Sequence, residues 1–363
     1  MPPRTPESMT PVQRARLRSH LLSAPASTVT DAATHMLAVQ SQDFGGGRWA
    51  LAARTADHPG RSDVDGAFER GELVRTWTQR GTLHIVAAAD LAWILPVTAG
   101  RQLQAAAGIH RAYGIDDTDL GRAERAVRTA LAGGNRLTRA EFADVLAGAG
   151  IETTASRANH LLSALAVRAV LALGPVVPRE SGPTREQYLV AVDDLPAGRT
   201  VTDPLAELLV AYLRSHGPAT LADFRWWVGL PQTAVREAAA TAGDRIAPAE
   251  EAGMFVGTDA GDAAAAVADG ADRVRALPPW DEYYLSYADR SRVCAPERMA
   301  RVGPSANGMV KPVLVAGGEV VGTWSHSTAV GKHHLPPVAA AFEEEASVDA
   351  TDALAEYARF LAS

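Results

Sequence analysis

Apolar and polar residues follow two different spacings in the first 90 positions. From about residue 11 the apolar positions recur at helical spacing, which predicts two helices followed by a short loop. Asp63 can cap a further helix that runs through about Leu73. The segments "LVRTWT" and "TLHIV" then alternate around "QRG", as the strands of a β-hairpin do. Helices followed by a two-stranded wing predict a winged helix.

The same order of elements recurs twice along the chain. In "LTRAEFADVLAGAGI" Thr138 and Glu141 have the spacing of a capping box. The helices there are followed by the apolar run "VLALGPVV", in which Gly174 and Pro175 predict a turn. A third copy begins at Thr220 in "ATLADFRWWVGLPQTAVREAAA", where the T-x-x-acid-Phe spacing of the second copy is repeated. The recurrence predicts three winged-helix units in tandem.

A different pattern begins near residue 270. The segment "VRALPPWDEYYLSYADR" is aromatic and irregular, whereas "VKPVLVAGGEVVGTWS" predicts two strands joined at Gly317 and Gly318. A terminal helix is predicted over "DATDALAEYARFLA". The predicted fold class is therefore α+β, mainly α, with three tandem winged helices and a small C-terminal β-containing module. The predicted boundaries are 1–118, 119–200, 201–269 and 270–363.

Composition and charge narrow the class of protein. The 363 residues carry a formal net charge of -7, which argues against a polybasic protein but leaves room for a local basic face. Cys294 is the only cysteine, so an internal disulfide and a cysteine-based zinc site are excluded. No apolar run is long enough to span a membrane, and no extensive exposed apolar stripe is evident. These features predict a cytoplasmic monomer without a membrane partner.

Repeated winged helices direct attention to nucleic acid, because such a fold places a helix in a groove and a wing on the backbone. The P-loop, G-x-S-x-G and H-E-x-x-H signatures are missing, and no histidine has metal-ligand spacing, so no cofactor and no metal are predicted. Trp226 and Trp227 are predicted to fill the core of the third unit. The candidate DNA contacts are arginines of the three units: Arg48, Arg75, Arg80, Arg157, Arg225 and Arg236.

One short segment, "HMLAVQSQDFGGGRWALAAR", has polar residues where a buried helix ends. It places Gln40 and Gln42 one residue apart, followed by Asp43 and three glycines. A polar loop whose glutamines bond backbone groups accounts for these residues. A pair of amides that face a cleft accounts for them too, provided the backbone is extended, because residues i and i+2 share one side of a strand.

Five segments together resemble a known family, the winged-helix DNA glycosylases of the AlkZ and YcaQ type. They are "MLAVQSQDF", "RTWTQRGTLHIV", "ATLADFRWWVGL", "LPPWDEYYLSYADR" and "VLVAGGEVVGTW", and they are distributed over most of the length of the chain. The resemblance implies a bacterial enzyme that removes bulky or crosslinking alkyl adducts from double-stranded DNA. It also implies three winged helices that form a concave, positively charged surface, and C-terminal contacts to DNA through Trp324 or His326, with burial as the alternative for Trp324.

In that family the catalytic motif is Q-Φ-Q or Q-Φ-D, where Φ is apolar. Gln40 and Gln42 match the first form, and Ser41 departs from it. A second match, from Gln102 to Gln104, has the right letters but lies in a predicted helix after the first wing. The resemblance implies that Gln40 and Gln42 are catalytic and hold a water below C1′ of the sugar.

This chemistry suits a cationic N-alkylated purine, whose positive charge already weakens its glycosidic bond. A neutral amide is a poor base, so catalysis would consist of positioning and preorganised dipoles. No lysine lies near the pair, which predicts a monofunctional glycosylase. Two other classes of protein stay open on the residues alone: a silent winged-helix DNA-binding protein, such as a regulator or an adduct-sequestering resistance protein, and a protein-interaction scaffold.

Overall fold

The chain folds into two compact units in a computed structural model. The structure describes residues 9–179, 184–258, 273–327, 332, 334–342 and 348–363. The first unit combines the N-terminal part of the chain, up to Val64, with the part from Leu205 onward. The second unit contains residues 65–204. The first unit is therefore built from two stretches that are far apart in sequence.

Helices and strands both contribute to these units, which confirms the predicted mixed α and β character. The helices are α1 (Pro11–Ser19), α2 (Val29–Met36), α3 (Phe44–Ala52), α4 (Arg61–Glu69), α5 (Leu91–Ala112), α6 (Asp117–Leu131), α7 (Arg139–Gly148), α8 (Ala155–Val167), α9 (Pro204–His216), α10 (Leu221–Val228), α11 (Gln232–Ala242), α12 (Glu282–Leu285), α13 (Pro296–Val302) and α14 (Thr351–Ala362). The strands are β1 (Val39–Gln40), β2 (Leu73–Thr78), β3 (Thr82–Ala87), β4 (Leu171–Val176), β5 (Gln187–Ala191), β6 (Ile246–Pro248), β7 (Phe255–Gly257), β8 (Arg275–Leu277), β9 (Val313–Ala316), β10 (Glu319–Ser325) and β11 (Val338–Ala341).

The predicted hairpin after α4 is confirmed. Strands β2 and β3 are antiparallel, with Leu73 opposite Ala87 and Thr78 opposite Thr82. Helix α4 ends at Glu69, earlier than predicted, because Gly71 takes a left-handed φ of 71° that a helix cannot continue. Within the second unit the strand order is β3-β2-β4-β5, and all three pairings are antiparallel.

The predicted turn at Gly174 and Pro175 is wrong, because both residues lie inside β4. The register between β4 and β5 shifts between Leu173 and Val176, which marks a bulge or irregularity around the proline. Pro175 has no N–H to donate, so it fits where the ladder is interrupted. The side-chain amide of Gln187 donates to the carbonyl oxygen of Gly174 at 2.7 Å and supports this irregular stretch.

Both predicted capping boxes begin helices as expected. At α7 the N–H of Glu141 donates to the Thr138 hydroxyl at 3.2 Å, and the Glu141 carboxylate accepts the Thr138 N–H at 2.7 Å. At α10 Thr220 and Asp223 make the same two bonds, at 3.0 and 2.9 Å. Two N–H groups at each helix start are thereby satisfied by neighbouring residues.

The C-terminal strands and helix are also confirmed. Strands β9 and β10 form an antiparallel hairpin whose turn contains Gly317 and Gly318, with φ values of 57° and 76°. These left-handed values suit glycine, which has no Cβ to clash. The sheet has the order β11-β10-β9-β8, and α14 follows it in sequence.

The core of the first unit joins the two ends of the chain. Met9 and Leu17 belong to one buried apolar cluster with Tyr283, Tyr284 and Val315. Residues beyond 270 therefore share their core with the N-terminal segment instead of enclosing one of their own. The boundaries at 118, 200 and 269 and the count of three winged helices stay predictions. Among the described residues no helix is both long and apolar enough to cross a membrane.

A buried ion pair fixes the N-terminal segment within this unit. Arg54 donates to both carboxylate oxygens of Asp281, at 2.9 and 2.8 Å, and the two side chains are 1% and 0% exposed. Arg54 also donates to the carbonyl oxygen of Ala50 at 3.0 Å, and the Asp281 carboxylate accepts the N–H of Tyr283 at 2.9 Å. Both charges are compensated, as burial requires.

Replacing Arg54 with Met should lower the free energy of unfolding by about 3–5 kcal/mol, because it leaves the Asp281 charge buried without its partner. Equilibrium unfolding in urea, followed by tryptophan fluorescence, measures the change. The matched control is Arg70→Met, since Arg70 makes the same two-bond contact with Glu72 at the surface. That variant should change the free energy by about 0–1 kcal/mol. Equal effects of the two substitutions would contradict the structural role given to the buried pair.

Candidate active site

The backbone just before the glutamine pair makes a tight reversal. Helix α2 ends at Met36, and the N–H of Ala38 donates to the carbonyl oxygen of Met36 at 2.8 Å. Between them Leu37 has a φ of 65° and a ψ of -55°, a strained γ-turn conformation for a residue with a side chain. The Leu37 side chain is buried, so packing holds the turn. The turn converts the end of a helix into the extended strand that carries Gln40.

Gln40 and Gln42 occupy different environments. Gln40 is the last residue of β1 and is 6% exposed, whereas Gln42 is exposed. The backbone is extended at Gln40, and Gln42 lies two residues beyond the end of the strand. The side-chain oxygen Oε1 of Gln40 accepts the N–H of Gln42 at 3.0 Å. One amide is thus anchored on the backbone, and the other is presented at the surface.

The residues after the pair start α3. Asp43 holds the N-cap position, but its side chain makes no capping hydrogen bond. Gly46 and Gly47 are buried in the first turn of the helix. A Cβ at Gly46 would lie 3.2 Å from Cβ of Pro278 and 3.3 Å from Cδ of Pro279. At Gly46 the missing side chain therefore allows close packing on these prolines.

A buried carboxylate holds the strand that carries the pair. Oε1 of Glu282 accepts the backbone N–H of Gln40 at 2.9 Å. Oε2 accepts the indole N–H of Trp227 at 3.0 Å and the hydroxyl of Ser286. Nε2 of His216 lies 3.6 Å from the same oxygen. Glu282 is 2% exposed, so the carboxylate meets protein donors in place of water.

Buried imidazoles and phenols extend this polar network. Nε2 of His20 lies 2.7 Å from the Tyr287 hydroxyl, which donates to the carbonyl oxygen of His216 at 2.8 Å. Burial lowers the pKa of His20 well below its usual range, and His216 adds to the effect. Burial also lowers the pKa of His216, although the bond to Glu282 opposes it. The guanidinium of Arg16 lies 3.6 Å from the Tyr287 ring centroid and donates to the carbonyl oxygen of Pro218 at 3.0 Å.

Three of the predicted DNA contacts are buried. Arg48, Arg75 and Trp324 are 3%, 6% and 5% exposed. The Arg48 guanidinium lies 4.3 Å from the Phe44 ring centroid, and Arg75 donates to the side-chain oxygen of Gln187 at 3.3 Å. The Trp324 indole donates to a backbone carbonyl oxygen at 2.8 Å. A buried side chain reaches a phosphate only by moving, so this conformation argues against direct contact by these three.

The other predicted contacts have accessible surface. Arg225 and Arg236 are exposed, on α10 and α11. Arg80 is half-buried and lines a cavity of about 300 Å³ within the second unit. His326 is half-buried, with its ring 5.3 Å from that of Tyr357.

Arg157 is engaged inside the second unit. Its guanidinium donates to the carboxylate of Asp119 and, at 3.1 Å each, to the carbonyl oxygens of Tyr113 and Gly114. Only 12% of the side chain is exposed. Arg157 thus connects the end of α5 to α6 and α8.

The two adjacent tryptophans of α10 have different roles. Trp227 is 1% exposed and packs against Tyr212 at 5.1 Å between ring centroids, which confirms its predicted place in the core. Trp226 is 40% exposed, which contradicts the same prediction for it. Its indole N–H donates to the carbonyl oxygen of Leu285 at 2.9 Å, and the Arg290 guanidinium lies 5.1 Å from its ring. Helical geometry places neighbouring side chains about 100° apart, and the buried face of α10 contains Phe224, Trp227 and Val228, so Trp226 lies outside it.

No group of three or more histidine, cysteine, aspartate or glutamate side chains within the described residues has an arrangement that could hold a metal ion. Cys294 is buried, and burial raises the pKa of its thiol to about 12. The thiol is therefore protonated near neutral pH and is a weak nucleophile.

Sequence reasoning missed the buried polar residues around the Glu282 carboxylate that accepts the Gln40 N–H: Arg54, His216, Asp281 and Glu282 itself. The signal was an acidic dipeptide inside the aromatic segment "LPPWDEYYLSYADR". Adjacent acids in an apolar setting indicate buried carboxylates that need donors. The sequence did not identify the distant donors, because Gln40, Arg54 and Trp227 lie more than 50 residues from these acids.

Three comparisons relate this chain to known proteins. The profile of the family described as "DNA glycosylase AlkZ-like" matches residues 33–360. An "Interstrand DNA cross-link repair glycosylase" of Streptomyces sahachiroi is 28% identical over 317 residues, which cover 82% of each chain. The solved structure of Streptomyces sahachiroi DNA glycosylase AlkZ superposes with a TM-score of 0.77 at 23% identity, over 97% of this chain and 96% of that one. The structural likeness shows a shared fold.

We expect the free energy of unfolding to fall as the pH drops from 7.5 to 5.5. The pKa values of His20, His35 and His216 are lowered mainly by burial. In the unfolded chain these imidazoles bind protons near pH 6.5, whereas the native ones bind them only at a lower pH. Acid therefore favours the unfolded state, by up to about 1.4 kcal/mol per pH unit for each histidine.

Urea unfolding at several pH values measures this slope. The variant His20→Gln should show a shallower slope, because one of the three imidazoles is removed. Stability that stays constant over this range would mean that the buried histidines become protonated without cost.

Proposed function

This chain belongs to the family of AlkZ-like DNA glycosylases, and we propose that it releases cationic N-alkylated purines from double-stranded DNA. Membership of this family gives the enzyme class, which is a hydrolase of N-glycosyl bonds in DNA. The observation that carries the finer proposal is the arrangement of Gln40 and Gln42. An anchored amide and an exposed amide stand two residues apart at the end of one strand.

The proposed reaction is hydrolysis at C1′ of the deoxyribose. A water oxygen bonds to C1′ while the glycosidic C–N bond breaks, and the bonding electrons neutralise the cationic purine. The water loses a proton, and the products are a free alkylpurine and an abasic site. The leaving group is activated by its own charge, so the protein has to supply orientation and a suitable dipole.

The two glutamines would have different roles in orienting the water and the sugar. The exposed Gln42 amide contacts the water and the sugar. The Oε1 atom of Gln40 already accepts the Gln42 N–H, and a carbonyl oxygen has a second lone pair that can accept a bond from the same water. Both oxygens direct negative dipole toward a sugar that becomes oxocarbenium-like. Because neutral amides are weak bases, uncharged purines would react slowly.

A hydrolytic step without strand cleavage suits the residues of this chain. Lyase activity of a glycosylase needs an amine that attacks C1′ and forms a Schiff base. Lys311 and Lys332 are the only lysines in the sequence, and neither is near the pair in sequence. We therefore propose a monofunctional enzyme.

The relative from Streptomyces sahachiroi is named for repair of interstrand crosslinks. We extend the proposal to bulky natural-product adducts and crosslinks of the same cationic type. For such substrates the reactive bond is unchanged, and only the size of the leaving group differs.

Replacing Gln42 with Ala should lower the single-turnover rate of 7-methylguanine release by about 100-fold, because the water loses its orientation. Gln40→Ala should have a similar effect. The substrate is methylated duplex DNA, and released base is measured by chromatography. The matched control is Gln104→Ala, which truncates an exposed glutamine of the same tripeptide pattern in α5.

Wild-type rates in both Gln40→Ala and Gln42→Ala, with the proteins folded, would refute the catalytic assignment. If the wild type releases no 7-methylguanine but cleaves a crosslinked purine adduct, the extension to bulky adducts is supported. Product DNA should contain intact abasic sites until it is treated with alkali.

Arg225→Ala should weaken binding of duplex DNA and reduce the dependence of log Kd on log salt by about one unit, if Arg225 contacts a phosphate. Titrations at several salt concentrations measure both quantities. The control is Arg245→Ala, because Arg245 is partly exposed but bonds to Glu207 at 2.7 Å. An unchanged salt slope in Arg225→Ala would remove this residue from the DNA interface.

A further inference from the structure

We infer that Glu282 is a positioning residue for the glutamine pair, acting through the backbone of Gln40. This inference rests on the proposed function, since it concerns how that pair is held. Glu282 itself is buried and lies 242 residues from Gln40 in sequence.

The Glu282 carboxylate joins three separate elements of the first unit. One oxygen accepts the N–H of Gln40 in β1 at 2.9 Å. The other accepts the indole N–H of Trp227 in α10 at 3.0 Å and the hydroxyl of Ser286 after α12. The carboxylate is thereby fixed from the side opposite to Gln40. It provides a rigid acceptor for the strand and leaves the Gln40 peptide little freedom.

The position of Gln40 determines that of Gln42. Oε1 of Gln40 accepts the N–H of Gln42 at 3.0 Å, so the carboxylate, the Gln40 residue and the Gln42 peptide form one chain of hydrogen bonds. The strained turn at Leu37 precedes this chain directly. A strand that leaves a strained turn relaxes unless it is held at its far end. The bond from Gln40 to Glu282 supplies that restraint.

Only a carboxylate of this length satisfies the site. A carboxylate is acceptor-only on both oxygens, whereas the amide of Gln has one donor group. In Glu282→Gln, the side-chain NH2 group must face either the Gln40 N–H or the indole and hydroxyl donors of Trp227 and Ser286. In either case a protein donor loses its acceptor. Glu282→Asp keeps the charge but shortens the side chain by one methylene, so it cannot reach both sides.

If Glu282 only stabilised the fold, replacing another buried carboxylate of the first unit would slow the reaction equally. Asp223 provides this matched control. Asp223 is also a buried carboxylate of the first unit, 2% exposed. It accepts the N–H groups of Thr220 and Ala288, both at 2.9 Å, and within the described residues it makes no hydrogen bond to β1. Asp223→Asn therefore perturbs the same unit without touching the strand of the pair.

The experiment measures single-turnover release of 7-methylguanine from methylated duplex DNA under saturating enzyme, well below the unfolding midpoint of each variant. The variants are Glu282→Gln, Glu282→Asp, Gln40→Ala, the double variant Glu282→Gln with Gln40→Ala, and Asp223→Asn. Dissociation constants for the same duplex are measured in parallel. This separates positioning from loss of DNA binding.

We expect Glu282→Gln and Glu282→Asp to slow release by about 10- to 100-fold while the dissociation constant changes by less than about twofold. Asp223→Asn should keep the rate within about threefold of the wild type. In the Gln40→Ala background, Glu282→Gln should add less than about threefold, because the Gln40 side chain, which links the Glu282-bonded strand to the Gln42 peptide, is already gone.

Three results would overturn the inference. The first is a wild-type rate in folded Glu282→Gln or Glu282→Asp, while Gln40→Ala is slow. The second is a full multiplicative loss in the double variant, and the third is an equal loss in Asp223→Asn. A wild-type rate in Gln40→Ala is distinguishable from all three, because it refutes the catalytic role of Gln40 and the inference with it, whereas refuting the whole catalytic assignment takes wild-type rates in both Gln40→Ala and Gln42→Ala.

Discussion

Compensation of two adjacent buried carboxylates is the constraint on which the first unit depends. Asp281 and Glu282 are 3% and 2% exposed, and removing a carboxylate from water costs several kcal/mol unless donors replace the water. Arg54 supplies two donors to Asp281, and Gln40 supplies its peptide N–H to Glu282. Both partners belong to the N-terminal segment. The segment must therefore lie against α12, because a structure in which it lies elsewhere removes the Arg54 guanidinium from Asp281 and the Gln40 N–H from Glu282.

This arrangement explains how the chain tolerates a strained backbone beside the glutamine pair. The γ-turn at Leu37 is unfavourable in isolation, but it lies between a buried helix and a strand whose end is bonded to Glu282. Rigid surroundings of this kind hold a short polar segment in one conformation. The low pKa values of the buried histidines belong to the same environment, since each imidazole is kept neutral by the absence of water.

The pair itself combines restraint with access. The Gln40 side-chain oxygen accepts a hydrogen bond from the Gln42 N–H, and Gln42 is exposed. For the chemistry proposed here, a neutral and well-oriented amide is sufficient, because the positive charge on an alkylated purine already activates the leaving group. The position of the amides then matters more than their basicity. This is consistent with the several buried polar groups that pack behind the short strand β1.

The sequence by itself determined the local elements: the capping boxes at Thr138 and Thr220, the hairpin turn at Gly317, and the hairpin formed by β2 and β3. It also identified the glutamine pair, through the resemblance of short segments to a family. These features depend on residues a few positions apart. Only the tertiary structure decided that Glu282 meets Gln40 across 242 residues, that Pro175 lies in a bulged strand, and that Arg48 is buried. The physical reason is that burial and hydrogen-bond partners depend on which distant segments pack together. The local spacing of residues does not specify that packing.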